Sequence, residues 1–339
     1  MESLQKHHEV ALVGHGAGAL WWKKPRWDVI HLQWPESLTG WVAPTAADLQ
    51  KIDAILEWHS RISPIVLTVH NYQPMATMAE AGRELFRVVL RHCSGFVHLG
   101  RSSIAEYQQI HQDVAAVAEG SHTVIEHGDY SYYHRLEERA EEDLRQILAS
   151  IHPDETVFLV FGVLRDAREE ELAREAFLMA GLPDARLLFA GTFGGSAISW
   201  NERRQLEQAT PPSIARCHRR IADEEVALLF KRADAVLIPR SGRLNSGVIP
   251  LAYTYGKPAI GPTGGTIEEE VRAGGGADLV YASGDAVDAA AALRRLYRMD
   301  RPERAAIRER IDRYCRETLS WQVVSRKHLE FYKYLISRH

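Results

Sequence analysis

The chain has 339 residues, enough for two domains with sizeable cores. Hydrophobic residues make up 45% and charged residues 25%, which excludes a disordered chain. The formal net charge of -4 argues against a dedicated nucleic-acid binder, and Cys93, Cys217 and Cys315 show neither zinc spacing nor a disulfide framework.

The opening MESLQKHHEV lacks an apolar core and no run of about eighteen apolar residues occurs, so the expectation is a cytoplasmic chain without signal peptide or membrane span. Short apolar runs at 10–13, 29–32, 65–69, 96–99 and 123–125 read as strands. A second series follows at 157–161, 186–190, 214–217, 235–238, 258–260 and 279–281. The runs are continuous rather than alternating, the pattern of strands covered on both faces. Helical periodicity at 169–180, 223–231 and 286–297 lies between strands, which predicts an α/β fold with parallel sheets. The first two runs are too close for a full crossover helix, so either a short crossover joins them or the first run is not a strand. A charged stretch at 135–150, followed by His152-Pro153-Asp154, marks a domain boundary.

Doubly wound sheets bind ligands beyond the carboxyl ends of their strands, so the loops there are the candidates. In 239-PRSGRLNSGVIPLAYTYGKPAIGP-262 a polar loop leads into a helix expected to begin near Ser246 and reach Gly256. Asn245, Ser246, Gly247 and Val248 would offer N–H groups to a phosphate, although Asn and Ser are also ordinary helix caps. In 160-VFGVLRDAREEE-171, Gly162 ends a strand and Arg165 and Arg168 follow. Two guanidiniums there suit a diphosphate, or else pair with glutamates on a solvated helix start. Gly264 and Gly265 precede a further helix and are placed to lie against sugar or phosphate. There is no phosphate loop of the G-x-x-x-x-G-K-[ST] kind, and Gly14-His15-Gly16-Ala17-Gly18 does not match the dinucleotide fingerprint. Without an Asp-x-Asp triplet or an H-E-x-x-H pair no metal is expected, and Arg165 and Arg168 would neutralise a leaving diphosphate instead.

Further segments add to these in chain order: Asp28-Val29-Ile30-His31-Leu32-Gln33-Trp34-Pro35-Glu36, Leu67-Thr68-Val69-His70-Asn71, Glu126-His127-Gly128-Asp129-Tyr130, Phe161-Gly162-Val163-Leu164-Arg165 and the tail from Leu319-Ser320-Trp321 through Tyr332. Together they resemble the GT-B glycosyltransferases, in particular the xanthan β-mannosyltransferase GumI and its relatives. The resemblance implies two Rossmann-like domains facing a central cleft: an acceptor-binding domain of 1–150 plus 319–339, and a nucleotide-sugar-binding domain of 151–318. The C-terminal helix would cross back to the first. It implies transfer of a sugar, mannose from GDP-mannose or a sugar from a UDP-sugar, to a saccharide or lipid-linked saccharide in polysaccharide or glycoconjugate synthesis. Retaining members carry Glu-x7-Glu where this chain has Arg243 and Leu251, which points to the inverting, metal-independent group. Their Arg-Pro-x-Lys-Gly reads Arg165-Asp166-Ala167-Arg168-Glu169 here. A retaining transferase, a sugar-nucleotide epimerase and a non-catalytic sugar-nucleotide-binding partner are the alternatives.

Inversion by direct displacement needs a base for the acceptor hydroxyl. Glu36, beyond a strand ending in Gln33-Trp34, is the first candidate; Asp129, in a His-Gly-Asp loop, is the second. Each also has an ordinary reading, as a helix-start glutamate and a turn aspartate. His70 and His127 are the expected substrate contacts. Trp21, Trp22 and Trp27, interleaved with Lys23, Lys24 and Arg26, suit a lipid headgroup interface beside a basic amphipathic helix at 83–91. That would place the protein peripherally at the inner face of the plasma membrane; a surface loop and a half-buried helix are the plainer reading.

Overall fold

A computed structural model describes residues 17–21, 27–74, 78–192, 211–240 and 244–339. The expected strand at 10–13, the glycines before residue 17, Trp22 and Arg243 lie outside these residues. Contacts divide the chain into two compact units, Met1–His127 with Ser320–His339, and Gly128–Leu319.

Among the described residues the first unit holds four parallel strands, β1 (Ile30–Leu32), β2 (Ile65–Val69), β3 (Gly95–His98) and β4 (Ser121–Val124), side by side in chain order. Every residue of β2 and β3 is buried, as continuous apolar runs require. Helices α1 (Ala46–Ser60), α2 (Ala79–Leu90), α3 (Ser102–Ile110) and α4 (Ala115–Glu119) connect the strands. The start of α1 is fixed by a reciprocal cap: Asp48 N–H donates to Thr45 Oγ1 at 3.2 Å, and Thr45 N–H to Asp48 Oδ2 at 3.0 Å.

The last helix of the chain, Trp321–Arg338, belongs to this unit and packs Val324, Phe331 and Leu335 against Val66 of β2 and Val97 of β3. Gly95 permits the close approach. A Cβ there would stand 2.6 Å from Leu335 Cδ1 and 2.9 Å from Phe331 Cζ, so a side chain at this position would force Leu335 and Phe331 to move.

Among the described residues the second unit holds six parallel strands: β5 (Thr156–Phe161), β6 (Ala185–Ala190), β7 (Ile214–Cys217), β8 (Ala235–Leu237), β9 (Ala259–Pro262) and β10 (Val280–Tyr281). Their spatial order is β7-β6-β5-β8-β9-β10. The chain therefore starts in the middle, winds outward to β7, returns to the other side of β5 and winds outward again. This is the order of doubly wound nucleotide-binding sheets, and its reversal point lies between β5 and β8. Helices α5 (Glu142–Ser150), α6 (Ala167–Ala180), α7 (Asp223–Arg232), α8 (Val248–Thr254), α9 (Gly265–Ala273), α10 (Ala286–Tyr297) and α11 (Arg301–Tyr314) accompany this sheet, whose core contains Phe158, Phe189, Phe230 and Leu293. Under β7, Arg216 and Glu170 form a buried ion pair at 2.9 Å. Among the described residues no helix is long and apolar enough to cross a membrane.

Candidate functional site

In the second unit the loops after β5, β8 and β9 meet at the reversal point. Beyond β5 the backbone turns at Gly162 (φ +96°) and is held to the β6 loop: Gly162 N–H donates to Ala190 O at 2.9 Å and Leu164 N–H to Thr192 O at 2.9 Å. Gly191 must be glycine, since its φ is +148° and a Cβ there would stand 1.8 Å from Gly162 O. Arg165 follows, half-buried; its N–H donates to Glu169 Oε2 at 3.0 Å. Asp166 caps α6 by accepting from Glu169 N–H at 3.1 Å, so the helix begins before the expected residue 169. Arg168 stands exposed in the first turn.

The loop after β8 comes alongside, with Val248 Cγ2 4.0 Å from where a Cβ on Gly162 would be. Helix α8 starts at Val248, two residues later than the sequence suggested. Pro250 falls in its first turn, where a missing N–H costs nothing. Gly247 is exposed with ordinary helical dihedrals, so its lack of a side chain gives access rather than a special φ. Ser246 is 3% exposed and its hydroxyl has no partner among the described residues. Thr266 N–H donates to Leu244 O at 3.1 Å, which brings Gly264 and Gly265 to the same loop. The Thr266 hydroxyl is likewise buried without a partner. Gly264 N–H is already engaged by Glu268 Oε2 at 2.8 Å. That N–H, followed by Arg272, holds the Glu268 carboxyl below its ordinary value.

Sequence reasoning missed Arg240. It is 9% exposed three residues past the end of β8, a cation enclosed beyond the carboxyl end of a central strand. The only signal was a charge immediately following an apolar run.

In the first unit the carboxyl ends of β1 and β2 bring together Gln33, Trp34 and His70. His70 Nε2 donates to Gln33 Oε1 at 3.0 Å. Burial lowers the His70 imidazole to about 4, with His127 pushing the same way. Behind them, His31 Nε2 lies 2.7 Å from Thr68 Oγ1 and 3.4 Å from the Gln33 amide nitrogen. His31 Nδ1 meets Tyr332 of the last helix at 2.5 Å. Burial, then His328 and His70, lowers His31 to about 3, leaving it neutral. Glu126, just beyond β4, is ion-paired with Lys327 of the last helix.

The two candidate bases differ in access. Glu36 lies in a 3-10 turn over Pro35–Thr39 that packs on α2, and its side chain is 0% exposed. Asp129 is half-buried in the second unit; its N–H donates to Leu319 O at 2.8 Å and its Oδ1 accepts from Ser131 N–H at 3.0 Å. The turn role and a chemical role are compatible there, because a carboxylate has several acceptor positions. Among the described residues no group of three His, Cys, Asp or Glu could hold a metal ion.

Of the aromatic residues considered for a lipid surface, Trp21 is 47% exposed and Trp27 is half-buried with its carbonyl accepting from Ser63 Oγ. Helix α2 buries Leu85, Phe86 and Val89, while its arginines are paired: Arg83 with Glu80, Arg87 with Asp113, Arg91 with Asp53.

No family model and no curated protein matches the chain. Solved structures do. One is HepE from Anabaena in complex with UDP-glucose, 16% identical over 91% of this chain and 79% of that one, with a TM-score of 0.63. Another is sucrose-phosphate synthase from Thermosynechococcus elongatus, 17% identical over 92% and 75%, TM-score 0.63. A third is the UDP-forming α,α-trehalose-phosphate synthase from Burkholderia xenovorans with glucose-6-phosphate, 15% identical over 94% and 76%, TM-score 0.65. At such identities the likeness concerns fold: this chain has the two-domain GT-B architecture, with two parallel sheets and a last helix that returns to the first unit.

Proposed function

We propose that the chain is an inverting, metal-independent glycosyltransferase that takes a sugar from a nucleoside diphosphate donor and passes it to a saccharide or lipid-linked saccharide acceptor. The observation that carries this reading is the reversal point between β5 and β8. There Arg165, the enclosed Arg240, the partnerless Ser246 hydroxyl and the start of α8 line adjoining loops at the carboxyl ends of the strands. Arg165, Arg168 and Arg240 would bind the diphosphate; Asn245, Ser246, Gly247 and Val248 would supply N–H and hydroxyl donors. Gly264 and Gly265 would face the sugar. Their cations would also stabilise the leaving diphosphate, the work a metal does elsewhere.

On this reading 151–318 is the donor domain and 1–150 with 319–339 the acceptor domain, with Gln33, His70 and His127 contacting acceptor hydroxyls. Access favours Asp129 as the general base, with the enclosed Glu36 anchoring the turn after β1. Mannose from GDP-mannose is the proposed transfer, in polysaccharide or glycoconjugate synthesis at the inner face of the plasma membrane, with Trp21, Trp22 and Trp27 at the lipid. UDP-glucose, bound by HepE, is the second donor to try.

The test is thermal stabilisation by GDP, GDP-mannose, UDP and UDP-glucose, followed by nucleotide release with EDTA present and lipid-linked or free saccharide acceptors. A bound nucleotide at ~100 times its dissociation constant raises stability by about 2.7 kcal/mol. If no nucleotide or nucleotide sugar stabilises the protein, the reading fails.

A further inference from the structure

The amino ends of β5, β8 and β9 border a depression of about 900 Å3 in the second unit. That volume is within the range of small-molecule sites. Asp234 lies in its lining and is already committed: its Oδ2 accepts from Val157 N–H at 2.8 Å. Three cations nevertheless depend on this carboxylate. Arg232 Nη1 is 4.0 Å from Oδ2, Arg304 Nη1 is 3.9 Å from Oδ1, and Lys257 is close enough to feel it. Burial lowers the Lys257 ammonium below its ordinary value; Asp234 opposes this, and Arg308 and Arg232 add to it.

The remaining carboxylates of the lining do not offset the excess. Glu155 is held by Arg186 at 3.0 Å, and Asp154 points to solvent, 92% exposed. Arg301, exposed in the first turn of α11, adds another charge at the rim. The two guanidiniums are also held in place. Arg232 Nη2 donates to His152 O at 2.7 Å and Glu155 O at 3.1 Å; Arg304 donates to the carbonyls of Met299, Leu296 and Tyr297. Pre-oriented guanidiniums in a concave surface match phosphate oxygens, and little side-chain freedom is left to lose on binding.

We propose that this depression is a binding site for a ligand carrying a diphosphate or phosphomonoester group, separate from the donor loops. The separation follows from topology: all six strands run parallel, the donor candidates sit at their carboxyl ends, and this depression sits at their amino ends.

The test is calorimetric titration with inorganic pyrophosphate at about 150 mM salt, where surface charges are screened beyond roughly 8 Å. It is done in an Arg165→Gln/Arg168→Gln/Arg240→Gln background, so that the donor-loop cations do not contribute. Saturable binding is expected, weakened at least about tenfold by adding Lys257→Gln and Arg301→Glu, an effect equivalent to about 1.4 kcal/mol. If the Lys257 variant does not fold, Arg301→Glu alone, at an exposed position, should weaken binding several-fold. Absence of binding in the background protein, or an affinity indifferent to these substitutions, overturns the proposal. Flotation with phosphatidic-acid vesicles that Arg301→Glu abolishes supports the site with its phosphate on a lipid. Pyrophosphate binding without flotation supports it with the phosphate on a soluble molecule.

Discussion

The imidazole of His70 lies flat against the indole of Trp34, ring centroids 4.4 Å apart and planes 8° from parallel. The stack and the Gln33 bond hold the ring in one orientation, and burial keeps it neutral. A stability consequence follows. His70 titrates in the native state at about 4, below its ordinary 6.5, so as pH falls from 6.5 toward 4 the unfolded chain takes up a proton that the folded one refuses. Stability is therefore full above 6.5 and declines through that window. His31 and His98, both near 3, act in the same direction. Urea midpoints measured from pH 7 to pH 4 should fall, and His70→Gln should flatten the slope; a slope unchanged in that variant removes His70 from the account.

At the reversal point, Arg240→Gln and Arg168→Gln should part company. A charge-assisted bond to phosphate contributes about 1.5–3 kcal/mol, so losing the enclosed Arg240 should cost roughly 10- to 100-fold in kcat/KM. Arg168 is exposed, and its loss should cost less. Equal effects would show that enclosure at the strand end does not rank these cations.

Asp129→Asn should lower kcat by about 10²–10⁴-fold with little change in donor affinity, as expected for a general base. Glu36→Gln should show its effect chiefly in the melting temperature. The reverse pattern would return the base to Glu36 and require the turn over Pro35–Thr39 to open during turnover.

Glu170 and Arg216 are 2% and 6% exposed, so Glu170→Ala leaves an enclosed guanidinium without its carboxylate. The expected loss is about 3–5 kcal/mol by chemical denaturation. Replacing both partners by apolar residues should recover much of it; no recovery would mean that the pair itself, rather than the stranded charge, matters.

Gly191→Ala should prevent β5 and β6 from ending as they do, since the new methyl would meet Gly162 O at 1.8 Å and the backbone is left-handed. Loss of nucleotide-dependent stabilisation, or of soluble protein, is the expected readout. A Gly181→Ala control, also left-handed (φ +58°) but with only one contact at 4.0 Å, carries the backbone strain without the clash and should be milder.

The strands were legible because burial on both faces leaves an uninterrupted apolar run, and each such run among the described residues became a strand within a residue or two of its expected ends. The start of α6 was nearly legible because Asp166 announces it. Strand order was not, since pairing Phe158 with Ala235 is a long-range choice that no local pattern records. The enclosure of Glu36 was hidden for a similar reason: Pro-Glu after a strand looks like a solvated helix start, and only the packing of its turn on α2 puts the carboxylate inside. Arg240 was passed over because a charge after a strand ordinarily marks where the chain meets water.

The placement of Val324, Phe331 and Leu335 on the first sheet has a consequence for biosynthesis. Residues 128–319 are one continuous piece, so their unit needs no segment made later to complete it. The first sheet, although made earlier, waits with Val66 and Val97 uncovered until residues 320–339 arrive. The unit begun first is thus completed last, and in the interval its exposed apolar face is the part of the nascent chain most in need of a chaperone.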